Sequence, residues 1–355
     1  MSKLKYIGLD VHQASISVAV REESGRLVME SILATRAAAI LEFLGGLRGT
    51  LHVTFEEGTY STWLYDLLVR RVHQVVVCNP RKNALLKKGN KSDRIDARKL
   101  AELLRSGLLS PVYHGQNSTR TLQELARSYL TLTQDTTRVT NRLTAIYRSQ
   151  AIAYGSKKLY TRRHRGEWLG KLQQPGLLRR AERLYEELDL LQQLRRKARQ
   201  ELMVESQKHP VCARLCSIPY LGPIRAAVLA ARVQTPHRFR TKRQFWAYCG
   251  LGLETRSSGD YQQIEGQLQR SRKKVLIRGL NLDHNHDLKN IFKGAAMSAS
   301  IFSGPLQEFY QERLRAGIQP EMAQLTLARK IAAIALTIWK KGDRFDRTKL
   351  KAQAA

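Results

Sequence analysis

Apolar and polar residues alternate through residues 4–11 (LKYIGLDV) and 15–21 (SISVAVR), and less regularly through 27–32 (LVMESI). Three β-strands are predicted there, the last two joined by the turn ESGR. The period then changes to that of a helix at about 35–48, with Ala38, Leu41 and Leu44 on one face. A strand at 51–55 (LHVTF), a helix at about 60–71, a strand at 72–78 (VHQVVVC) and a helix at about 94–106 follow. The order β-β-β-α-β-α-β-α is that of an α/β ribonuclease H-like fold. A dinucleotide-binding unit would alternate from its first strand and carry G-x-G-x-x-G, which this chain lacks.

The middle of the chain reads differently. Leu122, Leu125, Tyr129, Leu132, Thr136, Val139, Leu143 and Ile146 recur at steps of three and four, a heptad seam. A second helical stretch at about 177–205 sets Leu184, Leu188, Leu191 and Leu194 on one side. Two arrangements satisfy this pattern equally: a hairpin closed on itself, or a coiled-coil arm that pairs with a second copy. Beyond it, SIPYLGPIRAAVLAA (Ser217–Ala231) places a Pro-x-x-Gly turn before an Ala-rich helix, the pattern of a helix-hairpin-helix element that offers backbone N–H groups to phosphate. Helices are expected at 240–248, 286–298, 304–316 and 320–340.

Charge narrows the function. The 355 residues hold 61 Lys or Arg against 30 Asp or Glu, a net charge of +31. A field of that sign favours polyanionic partners, nucleic acid first, and argues against a small-metabolite enzyme. The excess grows along the chain, from +6 in residues 1–115 to +10 in 116–208 and +15 in 209–355, so the acids are relatively concentrated at the N-terminal end. These divisions give the expected domains: 1–115 catalytic, 116–208 a helical linker, 209–345 a mainly α C-terminal domain, and 346–355 a basic tail. No run of 18 apolar residues and no apolar leader segment is present, so a cytoplasmic, nucleoid-associated protein without a membrane partner is expected. Cys78, Cys212, Cys216 and Cys249 form no CxxC pair and read as reduced thiols.

The chemistry-bearing residues lie in four places. Asp10 ends an apolar strand, where a carboxylate is costly unless paired or bound to a cation. Glu56 and Glu57 close the fourth strand, and Asp93 and Asp96, three apart, open a helix. Singly each has an ordinary explanation, since acids cap strands and favour helix N-termini. Together they stand where a ribonuclease H-like fold holds two divalent ions, Mg²⁺ or Mn²⁺, roughly 4 Å apart for phosphodiester transfer. Lys82, Lys87, Lys88 and Lys91 precede the Asp93 pair. Arg270, Arg272, Lys273, Lys274 and Arg278 form a second basic group, and Arg162, Arg163 and Arg165, between Tyr160 and Trp168, suit stacking on unpaired bases. The run Asp283–His284–Asn285–His286–Asp287 has metal-ligand composition without the ββα setting of an HNH nuclease.

Along almost its whole length the chain resembles the DEDD transposases of insertion-sequence family 110 and its related 1111 branch. The resemblance rests on GLDVH (8–12), FEEG (55–58), NPRK (79–82), KSDRIDARKLAELLRSGLL (91–109), FWAYCGLGLETRSSG (245–259) and GLNLDHNHDLKNIFKGAA (279–296). It implies a RuvC-like N-terminal domain, a coiled-coil linker and a C-terminal transposase domain. It places the DEDD tetrad on Asp10, Glu56, Asp93 and Asp96, and a nucleophilic serine on Ser258 before Gly259. It further implies strand exchange through a covalent serine–DNA link, guided by a structured bridge RNA that pairs with donor and target DNA, in an oligomer with composite active sites. Two positions depart from the family pattern: Glu57 is a second acid beside Glu56, and Ser257 precedes Ser258, so either member of each pair is open.

Overall fold

Two strands in which large apolar residues alternate with small or polar ones set the N-terminal architecture. The computed structural model describes residues 4–82, 92–115, 117–153, 157–256, 261–264, 267–270 and 276–350, which divide into two units, 1–116 and 117–355. The first unit runs β1 (Leu4–Val11), β2 (Ser15–Glu22), β3 (Leu27–Ala34), α1 (Ala37–Gly45), β4 (Thr50–Glu56), α2 (Ser61–Leu68), β5 (Gln74–Cys78) and α3 (Asp93–Arg105). Its five strands lie in the order β3-β2-β1-β4-β5, with the first three antiparallel and β1, β4 and β5 parallel. On one face Ile7, Leu9, Val18, Val20, Val53 and Phe55 pack against Ile40 and Leu44 of α1 and Leu64 and Leu68 of α2. This is the mixed sheet and element order expected from the sequence.

The other face is lined by small residues. Gly8 pairs with Ala19, and against Ala19 sit Ala97 and Ala101 of α3. A Cβ on Gly8 would lie 2.2 Å from the Ala97 carbonyl and 2.5 Å from the Ala101 nitrogen, so the glycine is what lets α3 lie directly on the sheet. The first helix differs from expectation. It spans fewer residues than 35–48, and its buried positions are Ile40 and Leu44, with Phe43 and Leu47 partly covered, while Ala38 is exposed. Larger side chains at i, i+3, i+4 and i+7 outweigh the small Ala38 in setting the inward face.

The second unit contains α4 (Arg120–Ser149), α5 (Arg165–Leu169), α6 (Pro175–Gln207), α7 (Pro210–Cys216), α8 (Pro223–Val233), α9 (Lys242–Tyr248), β6 (Leu253–Arg256), β7 (Tyr261–Ile264), β8 (Gln267–Arg270), β9 (Leu276–Leu280), α10 (His286–Ile301), α11 (Pro305–Arg315) and α12 (Pro320–Lys341). The heptad seam of α4 is largely covered within the chain. Val139, Leu143, Ile146 and Tyr147 pack with Ala181, Leu184, Tyr185 and Leu188 of α6, while Leu122 and Ala126 join Leu202 in the core around α8, α10 and α12. On the far side of α6, Leu190 and Leu194 remain 56% and 38% exposed. Between α7 and α8 the turn places Tyr220 (φ 67°) and Gly222 (φ 31°) in left-handed backbone, and Arg225 closes it by donating to the Tyr220 carbonyl at 2.6 Å.

The mainly helical reading of this unit omitted two small sheets, β6 paired with β9 and β7 paired with β8, both antiparallel. By length and average hydropathy α12 qualifies as a membrane span although it contains Arg329 and Lys330. It is the central helix of the core, burying Ala323, Leu327, Ala328, Ile331, Ala332, Ile334, Ala335 and Ile338. The four cysteines are free; burial pushes the Cys212 thiol up to about 12, which suits an unreactive core thiol.

Candidate metal centre

The first unit builds its polar site at the carboxyl edge of β1. Gly8 and Asp10 are two residues apart in the strand and therefore share a face, the one covered by α3. Ser92 caps that helix, its Oγ accepting from the Ile95 N–H at 3.3 Å, which fixes Asp93 and Asp96 in the first turn. The same close packing over Gly8 thus brings the start of α3 to Asp10. From the other side, β1 and β4 are parallel in register from Leu4 opposite Thr50 to Leu9 opposite Phe55, so the next step along sets Glu56 beside Asp10.

The donor atoms of Asp10, His12 and Asp93 lie within 4.8 Å of one another; among the described residues this is the group that satisfies metal-ligand spacing, and it does not include Glu56 or Asp96. His12 Nε2 is 3.1 Å from Asp10 Oδ2 and 3.6 Å from Asp93 Oδ1. Burial raises the Asp10 carboxyl above its ordinary range; the hydrogen bond and charge of His12 oppose this, and the like charges of Asp93 and Asp96 add to it. Asp96 Oδ1 is buried without a hydrogen-bond partner, with Lys99 Nζ 3.7 Å away. An orphaned carboxylate oxygen beside convergent acids of like charge is a poor arrangement for a bare site and a good one for a hard divalent cation, so these residues fit the group.

The structure separates the two glutamates. The Glu57 carboxylate meets His114 Nε2 at 2.9 Å, and that imidazole packs on Tyr65 with ring centroids 5.0 Å apart. Glu57 is thereby turned to the β5 side, where its N–H also donates to the Cys78 carbonyl, while Glu56 pairs with Cys78 and lies one residue past the last β1–β4 pair, Leu9 with Phe55. His12 and His114 were both missed by the sequence reading. His12 carried a usable signal, two residues beyond Asp10 and just past the end of its strand, whereas His114 lies 57 positions from its partner in a segment with no periodicity.

The remaining predicted residues are distributed as follows. Ser257 and Ser258, in the connection between β6 and β7, lie outside the described residues, as do Lys87, Lys88, Lys91, Arg272, Lys273 and Lys274. Lys82 is exposed next to the undescribed segment, Arg270 ends β8 and Arg278 lies in β9. Arg163 is exposed, but Arg162 and Arg165 are engaged: Arg165 donates to both oxygens of Asp189 at 2.8 and 3.0 Å and stacks over Tyr185, and Arg162 Nε reaches Asp189 at 2.9 Å. Trp168 is only 6% exposed and meets Tyr147 edge-on, so its plane is core and does not serve base stacking. The Asp283–Asp287 run is likewise structural in its contacts. Asn285 caps α10, Asp287 pairs with Arg232 at 2.7 Å, and the His284 ring fills the space where Gly250 lacks a Cβ.

Two family models match this chain: a DEDD transposase model of the IS110 type over residues 7–149, and Transposase IS116/IS110/IS902 family over residues 212–311. No curated protein matches it. The first match spans the sheet from Ile7 onward, the carboxylate cluster, α3 and α4, and the second spans most of α7 through most of α11, including β6 to β9.

Proposed function

The chain belongs to the IS110 family of transposases, and from that premise we propose that it cuts and exchanges DNA strands at a divalent-metal site held by Asp10, Glu56, Asp93 and Asp96, with Ser258 as the nucleophile. As a transposase of an insertion sequence it acts on DNA. The observation that carries the metal reading is the convergence of Asp10 and Asp93 from two elements, with a buried oxygen of Asp96, in the same first turn as Asp93, that accepts no hydrogen bond. A bound Mg²⁺ or Mn²⁺ supplies Lewis acidity to the scissile phosphate and lowers the cost of ionising a hydroxyl. Asp10 and Asp93 hold and orient the cation, and α3, seated on Gly8, keeps their spacing fixed. Ser258 Oγ attacks phosphorus, the bond to the leaving oxygen breaks, and the serine proton passes to solvent as the leaving oxygen takes one up.

The same reading assigns a structured bridge RNA as guide, with donor and target duplexes as substrates and an oligomer as the working form. Arg163, Lys82 and the basic group Arg270, Arg272, Lys273, Lys274 and Arg278 are the phosphate contacts it requires, and three functional parts, catalytic, linker and transposase, divide the work. Trapping on end-labelled DNA tests the chemistry. Wild type forms a protease-sensitive covalent adduct in Mg²⁺, Ser258→Ala forms none, and Asp10→Asn and Asp96→Asn form none although they fold. Cleavage by Ser258→Ala at the wild-type rate, without an adduct, would show that water is the nucleophile.

A further inference from the structure

His12 is held more firmly than a surface histidine needs to be. Its N–H donates to the Ser15 carbonyl at 2.9 Å and its own carbonyl accepts from Thr35 Oγ1 at 2.9 Å, so the backbone is clamped on both sides of the residue. The ring nevertheless stays 53% exposed and presents one atom, Nε2, to carboxylates from two different elements, β1 and α3. An imidazolium would gain from pairing with both carboxylates, whereas a neutral ring turned this way offers its Nε2 lone pair to a cation that they share. The three donors instead form an open face of two oxygens and one nitrogen, with room on the solvent side for water or a phosphate oxygen.

We propose that His12 is an inner-sphere nitrogen ligand of this centre and that it biases the site toward Mn²⁺ over Mg²⁺. The proposal rests on the metal reading above and adds to it the identity of a ligand and the preference that follows. Mg²⁺ keeps an oxygen shell and sheds water reluctantly, whereas Mn²⁺ accepts imidazole more readily. A nitrogen donor between two carboxylates therefore discriminates where a purely acidic tetrad would not.

The test uses the full-length protein and Mn²⁺ alone. Pulsed electron paramagnetic resonance of the Mn²⁺-loaded wild type is expected to show directly coordinated ¹⁴N, and the signal is expected to vanish in His12→Ala and His12→Gln. In competition titrations both variants lose about tenfold or more of their Mn²⁺ affinity relative to Mg²⁺. Absence of ¹⁴N coupling in wild type, or coupling that persists in both variants, overturns the proposal. The wild-type spectrum alone suffices for refutation should a variant fail to fold. The metal reading fails separately: if Asp10→Asn and Asp96→Asn bind Mn²⁺ as tightly as wild type, the carboxylates do not hold the ion and the ligand proposal falls with them.

Discussion

Replacing Gly8 with alanine probes the link between packing and chemistry most directly. The added Cβ would sit 2.2 Å from the Ala97 carbonyl oxygen, 2.5 Å from the Ala101 nitrogen and 2.9 Å from Leu100 Cβ. Two of these are backbone atoms of α3, so no rotamer change relieves the contact. An ordinary carbon–oxygen approach is about 3.3 Å, so the helix must retreat by about 1 Å or the strand must bend. Overpacking of this kind costs about 1–3 kcal/mol, against which the lower chain entropy of alanine in a strand returns about 0.5–1 kcal/mol. A net loss of about 1–2 kcal/mol is expected in urea unfolding of the full chain. Because Asp93 and Asp96 ride on α3 while Asp10 rides on β1, the same retreat opens the donor group, and Mn²⁺ affinity falls by about tenfold or more. Gly45→Ala is the control: nothing lies within 4 Å of its Cβ, so stability rises by about 0.5–1 kcal/mol from the lower chain entropy alone and Mn²⁺ affinity is unchanged. Unaltered stability and unaltered Mn²⁺ affinity in Gly8→Ala would refute the claim that this glycine seats the site.

Other parts of the structure give further expectations. Burial, reinforced by the adjacent His73, holds His52 below its ordinary value of 6.5. The native chain then binds fewer protons than the unfolded chain as the pH falls through 6.5, so His52 contributes stability above that pH and loses it below. His52→Phe, which keeps the ring stacked on His73, should flatten the acid limb of a stability–pH profile, and an unchanged limb would contradict this. Asp189→Asn removes the anchor of Arg162 and Arg165 and is expected to cost about 1–3 kcal/mol. Arg165→Met should lose stability and leave nucleic-acid affinity near wild type, while Arg163→Ala should do the reverse in a filter-binding assay; equal affinity losses would return Arg165 to the binding surface.

What the sequence made legible follows from how local each signal is. In β1 and β2 large apolar residues (Ile7, Leu9; Ile16, Val18, Val20) alternate with small or polar ones (Gly8, Asp10; Ser17, Ala19), because one face meets a large apolar core and the other a helix packed close on small residues, so both the strands and their order could be read. The acids were legible for the same reason, since Asp10 breaks an apolar strand and Asp93 and Asp96 share the first turn of a capped helix. Strands β6 and β9 were not, because each is four or five residues long, its partner lies about 20 positions away, and no alternation survives at that length. The arginine run was legible only as charge density: the sequence did not show that Asp189, 24 residues along the chain from Arg165, pairs with both Arg165 and Arg162. His12 lay in plain view beside Asp10. Only the geometry shows its Nε2 facing both Asp10 and Asp93, because a strand end and a helix start that are 82 residues apart meet through the missing side chain of Gly8.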